Sequence, residues 1–231
     1  MKLFSMFKKS AEVTPQFNDN MNYMIFEGEG IYSKTGRKRK IHVEAFSESE
    51  AITELVSDGY NQESIQIHRV PFDPPSEEQL AAMKKHHNKI PKKACMIDIS
   101  FLISKYMGNE RESDKDLMTF ATNQKVKFSY YAGEKSLYNC IWHNFTLEEK
   151  FAFYLLCVEK DLKGKWQFEK FDYYKSISCD YLNDNKFMNS FKRYSANDNS
   201  FYGFIRDKGV EYGYSASQNT NCYKIAASIV S

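Results

Sequence analysis

Residues 74–104 decide the fold, and they read PPSEEQLAAMKKHHNKIPKKACMIDISFLIS. This stretch predicts two short helices around an Ile90-Pro91 corner, because proline fixes its own backbone and keeps the preceding residue out of the helical region. Ser76 is a good N-terminal cap for the first helix. Acidic residues follow this cap and lysines end the helix, which is the order of charge that complements a helix dipole.

In order and spacing, this stretch closely resembles the SAP-like or HeH-like helical appendage of phage and mobile-element proteins. The matching residues are Pro75, Ser76, Glu77, Gln79, Leu80, Ile90, Pro91, Ala94, Asp98, Ile99, Ser100, Leu102, Ile103 and Ser104. Two positions depart from the pattern. Asn88 stands before the corner, where glycine is usual, and we expect it to take the left-handed conformation; Cys95 stands where a Ser or Thr cap is usual.

The resemblance implies a SAP-like helical hairpin over residues 72–108 that contacts DNA through its basic residues. These are Lys84, Lys85, Lys89, Lys92 and Lys93. His86 and His87 add positive charge below about pH 6.5. The alternative is a solvated helix end whose lysines only complement the dipole. Sequence-specific binding is not indicated, since the Arg, Asn and Gln side chains that read base edges are scarce in this stretch.

Residues 1–20 are predicted to be a flexible tail, and residues 21–71 to be a ββαβ module. A first strand covers residues 23–32, and residues 41–46 alternate between two faces as a second strand. Ser47, with Glu50 three residues later, predicts a capping box that opens a helix ending at Gly59. Residues 64–70 predict the third strand, and the prolines after it predict a domain boundary.

This module weakly resembles a recurrent bacterial module found near the start of type II secretion platform proteins. The matching residues are Thr35, Gly36, Glu44, Ala45, Ser47, Glu50, Ala51, Leu55 and Gly59. Most of these positions are helix caps, turns or core residues. The resemblance therefore bears on the fold more than on the function.

Four consecutive basic residues occupy the predicted hairpin turn of this module, namely Arg37, Lys38, Arg39 and Lys40. They are candidates for electrostatic contact with phosphate groups, above all if they continue the surface of the hairpin lysines. The alternative is a solvated turn, because strand alternation leaves only some of these side chains on one face.

Residues 114–231 are predicted to form a mostly helical domain rich in aromatic residues. Helical segments are expected at residues 116–123, 137–145, 173–182, 186–194 and 223–230, and a Thr146–Glu149 capping box opens a further helix that ends at Gly164. Residues 200–214 are expected to be a loop or a short hairpin. Six tyrosines are candidates for base stacking or for anchoring a partner protein, with core packing as the alternative: Tyr130, Tyr131, Tyr173, Tyr174, Tyr202 and Tyr212.

The net charge of +2 is small for a chain with 32 basic and 30 acidic residues, so a polyanion must be bound by a local patch. The five cysteines contain no Cys-x-x-Cys pair, which favours reduced thiols over a disulfide framework or a zinc ribbon. No apolar run approaches the ~20 residues that span a bilayer. We therefore expect a cytoplasmic protein without membrane contact.

Catalytic patterns are weak throughout the chain. Cys140 and His143 lack a third orienting group, and the spacing of Asp180, Asp184 and Asp198 is not that of a two-metal nuclease. No glycine-rich phosphate loop is present. The sequence therefore predicts no enzymatic activity, cofactor, metal or small-molecule substrate.

Taken together, these observations predict an α+β protein with a ββαβ module, a helical hairpin and a mostly helical C-terminal domain. We expect a non-enzymatic accessory protein of a bacterial or mobile-element system. It would bind DNA or RNA weakly and without sequence specificity through the basic hairpin, while its C-terminal domain docks a protein partner. The alternative is a protein-interaction module, such as an inhibitor or adaptor of a host defence or replication complex.

Overall fold

The computed structural model describes residues 17, 19–86, 89–192, 205–207, 210–212 and 220–231. The chain divides into two units. The first unit extends to Ile103 and includes Ser129–Tyr131, and the second contains Ser104–Phe128 and Ala132–Ser231. The architecture is α+β, as predicted: a small antiparallel sheet near the N-terminus, followed by a mostly helical remainder. The domain boundaries expected from the sequence stay predictions.

The first unit contains a three-stranded sheet in the order β2-β1-β3, with both pairs of strands antiparallel. Strands β1 and β2 pair without interruption from Met24 opposite Ala45 to Tyr32 opposite Arg37. The elements of this unit are β1 (Met24–Tyr32), β2 (Arg37–Ala45), α1 (Glu48–Ser57), β3 (Gln66–Val70), α2 (Glu77–Lys85) and the first part of α3 (Met96–Met107). The third strand is shorter than expected, because residues Gln62–Ser64 form a 3₁₀ turn.

Helix α1 covers one face of the sheet. The buried side chains between them are Phe26, Ile41, Val43, Ala45, Ala51 and Leu55. Ser47 caps the helix by accepting a hydrogen bond from the Glu50 backbone N–H at 3.1 Å. The Glu50 carboxylate, however, accepts from the backbone N–H of Phe46, one residue before the cap. In a capping box, the Glu50 carboxylate would accept from the N–H of Ser47; here that bond is shifted by one residue, to Phe46.

The second unit is built around α6, a helix of 17 residues whose side chains from Phe151 to Glu159 are all buried. Its elements are α4 (Lys115–Asn123), α5 (Glu134–Asn144), α6 (Leu147–Lys163), α7 (Phe171–Ser176), α8 (Ser178–Leu182), α9 (Asn185–Phe191), β4 (Ile205–Asp207), β5 (Val210–Tyr212) and α10 (Asn221–Val230). Thr146 and Glu149 form the predicted capping box at the start of α6. Gly164 ends the helix in the left-handed conformation, with φ of 74°.

The helix expected over residues 173–182 is divided into α7 and α8. Ile177 lies between them with φ of −90° and ψ of 0°, outside the α-helical region. Asp184 then caps α9 by accepting from the backbone N–H groups of Lys186 and Phe187. Strands β4 and β5 pair as an antiparallel hairpin inside the stretch expected to be a loop or hairpin. The rest of that stretch lies outside the described residues.

Candidate nucleic-acid interface

Helix α2 begins with a complete capping box. The Ser76 hydroxyl accepts from the Gln79 backbone N–H at 3.2 Å, and the Gln79 side-chain oxygen accepts from the Ser76 N–H at 3.0 Å. The Gln79 amide nitrogen also donates to the Met96 carbonyl at 3.0 Å and to the Ser100 hydroxyl at 2.8 Å. Gln79 thus joins the first turn of α2 to the first turn of α3.

These hydrogen bonds place the starts of the two helices side by side. The described residues 89–95 therefore lead back to the start of α3, beside the start of α2. Lys84 and Lys85 lie at the far end of α2, about 9 Å along its axis from Gln79, at a rise of 1.5 Å per residue. Lys92 and Lys93 lie just before the first turn of α3. The lysines are thus distributed from the end of α2 to the residues just before α3.

Asp98 holds the start of α3. Its carboxylate is fully buried and accepts from the backbone N–H of Cys95 at 3.0 Å, from the hydroxyl of Ser129 at 2.6 Å and from the amide of Asn20 at 3.3 Å. Asp98, the third residue of α3, thus bonds the N–H of the residue before the helix, which is the return half of a capping box. Among the described residues of the connection, Lys93 takes the left-handed conformation, with φ of 59°. Asn88, which was expected in that conformation, lies outside the described residues.

A small apolar cluster stabilises the two helices. Met83 of α2 packs with Ile99 and Leu102 of α3, and all three are buried. Ile90 and Ala94 of the connection pack against this cluster, as do Ile103 and Tyr131. The connection is thus anchored on its inner side, while its lysines face solvent.

All five lysines of the hairpin are exposed. Among the described residues, four of them make no side-chain hydrogen bond or ion pair: Lys84, Lys85, Lys89 and Lys92. Several lysines of the second unit differ in this respect. Lys175, for example, donates to Glu149 at 2.6 Å, and Lys163 donates to Glu159 at 2.9 Å. Lys84, Lys85, Lys89 and Lys92 therefore keep their charge available for an external anion.

The four basic residues from Arg37 to Lys40 are all exposed, but they belong to strand β2. Strand alternation puts Lys38 and Lys40 on the open face of the sheet, and Arg37 and Arg39 on the face that carries α1. Lys38 forms an ion pair with Glu29. The Arg39 guanidinium lies over the ring of Tyr32, 4.2 Å from its centre.

These four residues do not continue the surface of the hairpin lysines. The other end of β2 is the one near the hairpin, because Phe46 packs in the same apolar cluster as Cys95. Arg37 is eight residues before Ala45, which corresponds to about 26 Å along an extended strand. The condition that would have strengthened Arg37–Lys40 as a phosphate contact, a surface continuous with the hairpin lysines, is therefore not met.

The open face of the sheet forms a groove of about 710 Å³, lined by both acidic and basic side chains. Lys40 and His42 of β2 face Glu27 and Glu29 of β1, and the His42 ring nitrogen lies 3.1 Å from the Glu27 carboxylate. This mixture of charges does not favour a polyanion. The groove is therefore not part of the candidate interface.

The six candidate tyrosines have different surroundings. Tyr130 and Tyr173 are 47% and 60% exposed, which leaves both available to a partner. Tyr131 is partly buried, and Tyr174 is buried and donates to Glu159 at 2.8 Å. Tyr202 and the side chain of Tyr212 lie outside the described part of the chain.

The structure describes four of the five candidate catalytic residues, namely Cys140, His143, Asp180 and Asp184. Burial raises the pKa of the Cys140 thiol to about 11, which disfavours the reactive thiolate, and His143 is exposed. Asp184 is used as a helix cap, and Asp198 lies outside the described residues. In the described ranges, no group of three His, Cys, Asp or Glu residues could hold a metal ion. No helix within those ranges meets the length and hydropathy needed to cross a bilayer.

No protein-family model matches this chain, and no curated protein or solved structure is significantly similar to it.

Proposed function

We propose that this chain is a non-enzymatic accessory protein that binds nucleic acid weakly and without sequence specificity. The observation that carries the proposal is the set of four exposed lysines, Lys84, Lys85, Lys89 and Lys92, which have no acidic partner among the described residues. Unpaired amines on a chain of nearly neutral net charge are suited to contact with phosphate groups.

The packing of the hairpin supports this proposal. The buried cluster around Met83 and the two hydrogen bonds from Gln79 hold α2 and α3 together. The connecting residues Ile90 and Ala94 are fixed on the inner side. A lysine on a fixed backbone loses less freedom on binding than one on a mobile loop, which favours association.

The lack of DNA sequence specificity follows from the chemistry of the lysine side chain. A lysine amine is a point charge that contacts the phosphate backbone, whereas reading base edges usually requires the bidentate geometry of Arg, Asn or Gln. If four lysines contact phosphates of duplex DNA, a rise in salt concentration from 50 to 200 mM weakens binding on the order of 100-fold. Binding is therefore expected at low ionic strength and is lost near physiological salt.

The cellular setting is part of the proposal. A cytoplasmic location is supported by the five cysteines, all of which are free thiols. The assignment to a bacterial or mobile-element system is supported by the sequence resemblance of residues 74–104 alone.

Fluorescence anisotropy with labelled random-sequence duplex and single-stranded DNA tests the proposal. The hairpin variant, in which Lys84, Lys85, Lys89 and Lys92 are all changed to alanine, should bind DNA at least ten-fold more weakly than the unmodified chain at low salt. The control variant changes four exposed lysines of the second unit to alanine: Lys115, Lys165, Lys186 and Lys224. It loses the same charge and should bind nearly as well as the unmodified chain. Equal losses of DNA affinity in both variants would show that binding depends on net charge alone and not on these four positions.

A second candidate function, docking of a partner protein, is supported by exposed apolar side chains in the second unit. Met107 is 73% exposed and Tyr173 is 60% exposed, so both large side chains are accessible to a partner. If no DNA or RNA binds at low salt, the adaptor or inhibitor function becomes the better explanation. Co-purification of the chain from its native host would then identify the partner.

A further inference from the structure

Strand β2 forms an open edge of the sheet. It pairs with β1 on one side, and no described residue pairs with its other side. The strand has nine residues, an unbroken register and no proline. Proteins usually protect such long edges with bulges, prolines, charged side chains or a covering element, because unpaired backbone groups can accept another strand. The edge of β2 is protected by charge alone, since it begins with four consecutive basic residues, and this protection does not act against an acidic strand.

The hydrogen-bond pattern identifies the backbone groups that point outward. Ile31 of β1 uses its N–H and its carbonyl on the β3 side, with Ser64 at 2.8 Å and Asn61 at 2.9 Å. Lys38 lies opposite Ile31, so this pair is not hydrogen-bonded, and the backbone of Lys38 points away from β1. The same alternation directs the N–H groups of Lys40 and His42 outward. Within the described residues, these three amides have no hydrogen-bond partner.

At one end of this edge, Arg37–Lys40 place basic side chains on both faces of the sheet. Lys38 and Lys40 lie on the open face, and Arg37 and Arg39 lie on the other face. Glu29 neutralises Lys38, but Arg37 and Lys40 have no ion-pair partner among the described residues. A second basic strand would be repelled here, whereas a strand carrying carboxylates would meet a cation on either face.

We infer that the outer edge of β2 binds an extended acidic segment of a partner protein by strand addition. Backbone hydrogen bonds to Lys38, Lys40 and His42 supply the affinity, and the basic side chains of Arg37 and Lys40 select for acidic residues. This inference does not depend on the proposed nucleic-acid interface, because Arg37–Lys40 lie at the opposite end of the sheet from the hairpin.

The test uses the full chain and a capped eight-residue peptide that alternates glutamate with threonine. Hydrogen exchange monitored by NMR should show slower exchange at the amides of Lys38, Lys40 and His42 when the peptide is present. A second peptide of the same charge, N-methylated at two adjacent central residues, loses a donor on each of its edges. It should bind at least ten-fold more weakly in a fluorescence anisotropy titration.

Charge selection is tested with two variants that reverse one exposed lysine each. Lys40→Glu should weaken binding of the unmethylated peptide about ten-fold, because it replaces attraction to a glutamate of the peptide with repulsion. Lys115→Glu, in the second unit, makes the same change in net charge and should leave binding unchanged. Circular dichroism confirms that both variants fold.

Three results would overturn the inference. Equal affinity for the two peptides would mean attraction by charge alone. Unchanged exchange at Lys38, Lys40 and His42 on peptide binding would place the peptide elsewhere. Slowed exchange that depends on protein concentration, and not on peptide, would assign the edge to a second copy of this chain.

Discussion

Asp98 accepts a hydrogen bond of 2.6 Å from the hydroxyl of Ser129, and both residues are fully buried. The same carboxylate bonds the Cys95 N–H and the Asn20 amide. It therefore joins the start of α3 to two segments that are distant in sequence. Tyr131 lies nearby, and its pKa is raised by burial and by the charge of Asp98.

Asp98→Ala should destabilise the first unit by about 3 kcal/mol, because it leaves buried donors without an acceptor. Asp116→Ala is the matched control, since Asp116 is exposed and its carboxylate has no partner among the described residues. We expect that control to change stability by less than about 0.5 kcal/mol. Urea unfolding measures both values, and similar losses would show that Asp98 does not organise this unit.

Glu159 predicts a dependence of stability on pH. Burial raises its pKa, but hydrogen bonds from Lys170, Lys163 and Tyr174 outweigh burial and lower the pKa below its usual value of 4.5. Because the pKa is lower in the folded state, the ionised group stabilises the fold fully above pH 4.5. This contribution decreases as the pH falls below 4.5 and through the folded-state pKa.

Glu159→Gln should remove this contribution and cost about 3 kcal/mol at neutral pH, since it leaves two lysines facing a neutral group. The loss should shrink as the pH is lowered below 4.5. Thermal unfolding at a series of pH values measures it. A loss that stays the same at low pH would show that the carboxylate charge is not the stabilising feature.

Two glycines of the first unit should respond differently to alanine. A Cβ at Gly28 would overlap the backbone carbonyl of Gln66 on β3, so Gly28→Ala should cost about 3 kcal/mol or displace the strand. Gly36 has φ of 64° but open space around it, so Gly36→Ala should cost only about 1 kcal/mol. The order of the two losses in urea unfolding is the decisive result, and the reverse order would contradict the observed β1–β3 pairing.

Local capping chemistry made much of the fold predictable. Ser76 and Thr146 cap their helices as expected, because a cap depends on residues only three positions apart. Gly59 and Gly164 both take positive φ values at the ends of helices. These features are determined within one turn of chain and can be read without tertiary contacts.

Long-range relationships were not predictable in the same way. Asp98 stands at a position of the SAP-like pattern, but its partner Asn20 is 78 residues away, and nothing local indicates that contact. The five lysines of the hairpin are exposed, but their role in binding stays a prediction. The sequence could not show that Arg37–Lys40 lie at the other end of the sheet, because strand register and packing decide that distance.

The salt dependence of nucleic-acid binding tests the central claim most directly. Affinity for a random-sequence DNA duplex should be measured by anisotropy between 50 and 200 mM salt. We expect the logarithm of the affinity to fall with the logarithm of salt concentration with a slope of roughly −4, as four phosphate contacts require. The hairpin variant should lose nearly all of this slope, and the control variant should keep it. No binding at low salt, or an unchanged slope in the hairpin variant, would contradict the assignment of these lysines to the nucleic-acid interface.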